Sequence, residues 1–279
     1  MTIRLKYAQN AIDGNGTLFR GEIAHVGIPD LLGGNSGHRI WEVNTTQKYT
    51  LGARVVYPDG RVFRYAKAGG TLIPGQGCLS YQQQYIRYAV LAAAAAAGAT
   101  QLSVTVNADD GEVDTNDGAL ATNELQGGYC VIFDKSATNM VVLRNIIANT
   151  AVATGGGTTV ITLDDPIPNA LTTTDAIECM ASPYYDVRAV NDTQRAVVGV
   201  PTMVAAANEY VWIQTWGVCW VAPQATVGTG AGVHAVVFRS DGSLGIPTDG
   251  TDLQYAGFVL QRGRSNAQGA PFIMLQISI

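Results

Sequence analysis

The run Tyr210-Val211-Trp212-Ile213-Gln214-Thr215-Trp216-Gly217-Val218-Cys219-Trp220-Val221 constrains this chain more than any other segment. Its β-branched and aromatic residues favour a strand. Successive strand side chains point to opposite faces, so Tyr210, Trp212, Gln214, Trp216, Val218 and Trp220 share one face and the residues between them share the other. Both rows are largely apolar. Such a strand must be covered twice, either inside a sandwich or by its own fold on one side and a second molecule on the other. Trp212, Trp216 and Trp220 are therefore candidates for an oligomer interface. The run Phe272-Ile273-Met274-Leu275-Gln276-Ile277-Ser278-Ile279 is equally apolar and calls for docking in a sheet, its own or a neighbour's, which adds Ile273, Leu275 and Ile277 to the candidates.

The rest of the chain reads as short strands. Residues 50–57 and 61–65 flank Pro58-Asp59-Gly60, a hairpin turn in which proline presets the backbone. Residues 100–106, 129–133, 140–147, 158–163 and 176–180 are further strands separated by Gly, Pro and Asp turns. Six consecutive alanines at 92–97 favour helix by propensity but are too few to cross a bilayer; a short helix and an extended linker are both open. Residues 1–45 show no sustained period and read as an extended arm. The expected fold is all-β and mainly antiparallel, with few or no long helices. It comprises an arm at 1–45, a hairpin region at 46–90, a small β-barrel or sandwich at 91–188 and a C-terminal β-sandwich and oligomerisation region at 189–279.

Only 14% of the 279 residues are charged, a composition suited to a protein that hides surface against copies of itself or a partner. Residues 1–90 carry ten Lys and Arg against five Asp and Glu, a net +5; residues 91–279 carry seven against seventeen, a net −10. This asymmetry suggests one face for an acidic partner and another for solvent, with Arg4, Lys6, Arg20 and Arg39 as contact candidates. No Lys/Arg run tracks a phosphate backbone, which argues against a nucleic-acid partner, and no membrane span is expected. Arg4 and Lys6 are followed by no apolar run or small-residue cleavage site, so synthesis in the cytosol is expected. Cys78, Cys130, Cys179 and Cys219 lie dozens of residues apart and read as buried reduced thiols.

No catalytic, cofactor or metal constellation is expected. His25, His38 and His234 lack ligand spacing. Asp109, Asp110, Glu112, Asp114 and Asp117 form an acidic cluster, but counting from Glu112 puts Asp117 where an EF-hand-like loop needs glycine. A solvated acidic loop is expected there. Gly34-Asn35-Ser36-Gly37 lacks the scaffold and partners of a serine nucleophile, and no nucleotide-binding glycine loop occurs. The tryptophans could instead form a sugar-stacking platform.

Several phrases resemble structural proteins of tailed bacteriophages that sit on or beside the capsid. They include Val56-Tyr57-Pro58-Asp59-Gly60-Arg61-Val62-Phe63-Arg64-Tyr65-Ala66, Gly127-Gly128-Tyr129, Leu163-Asp164-Asp165-Pro166-Ile167, Val198-Gly199-Val200-Pro201 and Tyr210-Val211-Trp212-Ile213-Gln214-Thr215-Trp216-Gly217. The resemblance spans residues 49–279 and leaves out the first arm. It implies a non-enzymatic decoration or cement protein on the virion surface that binds and stabilises the assembled major capsid protein. A homotrimer is the expected state, with a dimer as rival. The alternatives are a neck, tail or fibre component, a glycan-binding adhesin, or a depolymerase.

Overall fold

A computed structural model describes residues 39–81, 84–112, 114–136, 140–189, 195–224, 227–229, 234–247, 254–261 and 272–278. Its sixteen strands are joined by turns and loops, with no helix among the described residues. The fold is all-β, and every strand pair is antiparallel. No described helix is long and apolar enough to cross a membrane.

The chain forms two units, and the second is inserted into the first: residues 1–81 and 184–279 make one, residues 82–183 the other. The barrel expected over 91–188 has its counterpart in the inserted unit. The hairpin region and the C-terminal region, read as successive segments in the sequence, lie together in the first unit.

The first unit is built on a ten-stranded sheet. The expected hairpin is β1 (Arg54–Val56) and β2 (Val62–Lys67). It leads through β3 (Cys78–Ser80) out of the unit; after the insertion come β10 (Val187–Ala189), β11 (Val197–Pro201) and β12 (Tyr210–Trp220). β13 (Ala235–Phe238), β14 (Leu244–Gly245), β15 (Tyr255–Val259) and β16 (Phe272–Gln276) complete it. β12 is central: β2 pairs along one side, and β11 followed by β16 along the other.

A bulge at Thr215 divides β12 into halves with different surroundings. Gln214 pairs with Phe63 and Trp216 with Val62, so Thr215 is an extra residue. Its buried hydroxyl donates to Ser278 O at 2.7 Å, and its carbonyl accepts the Ile277 and Ser278 N–H groups. N-terminal to the bulge, β12 is covered on both faces. Val211 and Ile213 pack with Ala66, Leu72 and Val187, while Trp212 packs with Phe63, Tyr65 and Val55. The Tyr65 ring lies 5.0 Å from Trp212, 5.4 Å from Tyr49 and 5.9 Å from Tyr210. Beyond the bulge, Cys219 and Val221 join Ile273, Leu275 and Phe238 in a third cluster, while Val218 and Trp220 face solvent. Among the described residues the first half of β12 is thus enclosed on both faces, and the second half is covered on one face and exposed on the other.

The inserted unit contains β4 (Gln84–Val90), β5 (Gln101–Val106), β6 (Tyr129–Asp134), β7 (Met140–Asn149), β8 (Gly157–Leu163) and β9 (Ala176–Met180). They pair in the order β4-β9-β6-β7-β8-β5. Leu91 bridges Val104, and the Ala92 N–H donates to Ser103 O at 2.8 Å, which brings the first and last strands into a nearly closed barrel. Inward-facing residues such as Leu102, Cys130, Ile132, Ile146, Ile161 and Ile177 are buried. The alanine run is not helical: Ala95 bridges Leu171, and this backbone pairing overrides the helix propensity of the alanines.

One five-residue device recurs six times. It begins at Leu72, Ala95, Leu120, Val152, Leu171 and Ala205, and its copies bridge in pairs: Leu72 with Ala205, Ala95 with Leu171, Leu120 with Val152. The fourth residue has a positive φ in five copies, at Gly75, Gly98, Asn123, Gly155 and Asn208. Where the fifth residue is acidic, its carboxylate accepts the N–H of the second: Glu124 from Ala121 at 2.6 Å, Asp175 from Thr172 at 2.6 Å, Glu209 from Ala206 at 2.7 Å. One pair lies in the first unit and two in the second, so both units start their strands from the same turn.

Candidate interaction surfaces

In the first unit, the outer face of β12, β16 and β15 is apolar. The register sets Val218 opposite Met274 and Trp220 opposite Phe272, and Met274 opposite Phe258 on the far side. Val218, Trp220, Phe258, Leu260 and Phe272 are all exposed, Trp220 by 48%. Tyr255 joins them at the rim, its hydroxyl 3.3 Å from Gln276 Oε1. A contiguous apolar sheet face is uncommon on a protein with no partner, whereas single exposed apolar residues are ordinary.

The sequence candidates divide on this surface. Trp212 is fully enclosed in the aromatic cluster, and Ile273 and Leu275 are fully enclosed in the cluster of Cys219 and Phe238. Trp216 and Ile277 are half-buried, and Ile277 packs on that same cluster. Trp220 alone of the six stands in the exposed face. The three tryptophans do not form one platform, because the bulge and the burial of Trp212 separate them. Phe258, Phe272 and Val218 belong to the face and were missed, since alternation within one strand does not reveal which residues of the neighbouring strands share its outer side.

A notch opens where β12 runs past the tip of the β1–β2 hairpin. It has a volume of about 360 Å³ and is lined by Asp59, Arg61, Gln214, Val218, Cys219, Trp220 and Phe272. Arg61 Nε pairs with Asp59 at 2.7 Å and its guanidinium lies over Tyr57 and Phe63. Buried Gln214 donates from Nε2 to Trp216 O at 3.0 Å and Val218 O at 2.8 Å. Tyr57, Asp59 and Arg61 were legible as a turn but not as the wall of a site.

In the inserted unit, the outer face of β4, β9, β6 and β7 carries a second apolar surface. Val131 pairs with Leu143 and Phe133 with Val141 across β6 and β7. Val141 is 63% exposed and Leu143 60%; Tyr88, Tyr129 and Met180 are exposed near them. The Tyr88 ring lies 5.0 Å from Phe133, and Lys135 Nζ stands 4.5 Å over Tyr88. No sequence reading pointed here, because β7 alternates as any half-buried strand would.

The acidic loop is not uniformly solvated. Asp110 is buried and accepts the N–H groups of Arg87 and Asn107, with Arg87 Nε at 3.5 Å. Asp109 and Asp114 are exposed. No group of three His, Cys, Asp or Glu side chains among the described residues could hold a metal ion.

Arg39 is exposed and pairs with Glu42 at 3.7 Å, and its N–H is capped by the same carboxylate. Just beyond it, Ile40 is already buried in the aromatic cluster and Asn44 bridges Tyr210, so residues 40–44 are part of the sheet unit. Arg4, Lys6, Arg20, His25, Gly34-Asn35-Ser36-Gly37 and His38 lie outside the described residues. Comparison with protein-family models, curated proteins and solved structures gives no match.

Proposed function

We propose that this chain is a structural component of a tailed-phage virion, a decoration protein that binds the outer surface of the assembled major capsid protein and stabilises the shell. The observation that carries the reading is the presence of an exposed apolar sheet face on each unit, centred on Trp220 and Phe272 in one and on Val141 and Leu143 in the other. Two such faces on a chain with only 14% charged residues fit a molecule whose surface is finished by assembly. Full burial contributes about 1.5–3 kcal/mol per large apolar side chain before ordering costs, so a few anchors on each face are enough to hold a partner. The phage shell as partner rests on the sequence resemblance over residues 49–279. Arg39, with Arg4, Lys6 and Arg20, supplies the basic contacts, and a homotrimer fits a threefold position on an icosahedral shell.

The test is the copy number of this chain in purified virions, by quantitative mass spectrometry against the major capsid protein. Hundreds of copies are expected. A dozen or fewer would move the protein to the neck or tail, and absence would overturn the virion reading.

A further inference from the structure

Cys130 and Cys179 stand directly opposite one another on two adjacent strands of the inserted unit, β6 and β9. The phase of the ladder fixes what kind of pair they are. The Ile146 N–H donates to Gly128 O at 2.9 Å, and the register between β6 and β7 then runs without a shift from Tyr129 to Asp134. In an antiparallel ladder this turns the main-chain groups of Cys130 and Ile132 toward β7 and those of Tyr129, Val131 and Phe133 toward β9. On the other strand, the Asp175 carbonyl accepts the Leu91 N–H, so Ile177 and Cys179 turn their main-chain groups toward β4. Cys130 and Cys179 are therefore a non-hydrogen-bonded pair of β6 and β9, the kind whose Cα atoms stand ~4.5 Å apart. That spacing lies within the range of roughly 4.4–6.8 Å that a disulfide spans.

Both side chains point into the barrel, Cys130 fully enclosed and Cys179 nearly so, beside the next inward pair, Ile132 and Ile177. The Cys179 thiol interacts directly with that of Cys130. The other two cysteines, both in the first unit, are arranged differently. Cys78 donates to Gly199 O at 3.2 Å and Cys219 to Trp220 O at 3.5 Å, each within its own apolar cluster. We infer that Cys130 and Cys179 are an oxidation site, a cross-strand dithiol that closes to a disulfide when the protein meets a small-molecule disulfide in oxidising surroundings, and so staples β6 to β9. One protein thiol loses its proton and attacks a sulfur of the small disulfide, releasing the first small thiolate. The second protein thiol, deprotonated in turn, attacks the mixed disulfide and releases the other. The protein gives up two electrons and two protons, and the small disulfide becomes two thiols. Because both thiols are enclosed, the exchange runs as β6 and β9 part, or before they first close. In a reducing cytosol the pair stays open. The closed bond rings off β7 and β8 in a loop of about 50 residues, which restricts the unfolded chain.

The test is refolding of the full-length chain from urea at pH 8 in a mixture of oxidised and reduced glutathione, which makes its outcome independent of what the protein binds. Free thiols are then trapped and the linked peptides mapped by mass spectrometry. The expected map joins Cys130 to Cys179 and leaves Cys78 and Cys219 free. The unfolding equilibrium constant in urea should fall about 100-fold relative to the same chain kept in dithiothreitol. The same map on never-unfolded protein, incubated for days with oxidised glutathione, covers the case in which unfolding in urea is not reversible. Both thiols free in the oxidised samples, or a bond from either one to Cys78 or Cys219, would overturn the inference. A Cys130–Cys179 bond that left the unfolding constant unchanged or raised it would overturn the staple.

Discussion

The Asp175 carboxylate accepts the Ser136 hydroxyl at 2.7 Å across 39 residues of chain, tying the turn before β9 to the end of β6. It also accepts the N–H groups of Lys135, Ser136 and Thr172. Burial by itself would raise its pKa, but these hydrogen bonds outweigh burial and hold the carboxyl well below the usual carboxylate range. A depressed folded-state pKa stabilises the fold above the unfolded value of about 4, and that stability is lost as the pH falls below it. Chemical denaturation from pH 6 down to pH 2 should therefore show a stability loss that Asp175→Asn makes shallower. At neutral pH the same substitution should cost about 2–3 kcal/mol, because it leaves N–H groups facing a weaker acceptor.

Two tryptophans on one strand should behave oppositely. Trp212→Ala empties the centre of the aromatic cluster and should cost about 3–5 kcal/mol in urea unfolding. Trp220→Ala removes a ring that is half in water and should change stability far less. Equal losses would mean that the outer face of β12 is covered within the isolated chain.

Gly118 and Gly98 test backbone shape against space. Both have positive φ, +74° and +83°. A Cβ on Gly98 meets nothing within 4 Å, so Gly98→Ala should cost only the left-handed strain, about 1–2 kcal/mol. A Cβ on Gly118 would lie 2.5 Å from the Gly156 nitrogen and 2.7 Å from Asn107 O, both backbone atoms that cannot rotate aside. The thermal midpoint of Gly118→Ala should fall well below that of Gly98→Ala.

All four thiols should be silent in the native protein. Burial pushes the thiols of Cys78 and Cys219 up to about 12, and burial, reinforced by neighbouring Cys130, raises Cys179 well above its ordinary value. At pH 8 a thiol reagent should label Cys78, Cys130, Cys179 and Cys219 only after unfolding. Fast labelling of any one would show that its strand opens.

On the inserted unit, Leu143→Glu should leave the unfolding free energy within about 0.5 kcal/mol of the parent, because the side chain already faces solvent. Co-sedimentation with assembled shells should nevertheless drop at least about tenfold, since a carboxylate would be desolvated in the contact. Unchanged binding would remove this face from the proposed interface.

How much of this was legible follows the range of the forces involved. The β1–β2 hairpin was visible because Pro58-Asp59-Gly60 sets its turn locally, and β5 to β9 were visible because each alternates within its own length. The enclosure of Trp212 and the exposure of Trp220 were not, because they depend on a bulge at Thr215 and on where β2 and β16 stop. Asp175 looked like one turn residue among many, its partners Lys135 and Ser136 being 40 and 39 residues away. The recurring turn went unseen because no position keeps one residue: its fifth place holds Gln76, Ala99, Glu124, Gly156, Asp175 or Glu209, and what repeats is a backbone shape.

The insertion follows a similar logic and has a practical side. The chain leaves the first unit after β3 and re-enters it at β10, and these two strands pair, Leu79 opposite Arg188, with the Tyr81 N–H bonded to Asp186 O at 3.0 Å. Exit and re-entry are thus adjacent rungs of one ladder, and a tight turn could close the gap between Tyr81 and Tyr184. That makes the seam an exchangeable port. A foreign domain with neighbouring termini could be spliced there without unzipping the host sheet, turning residues 82–183 into an exchangeable cassette.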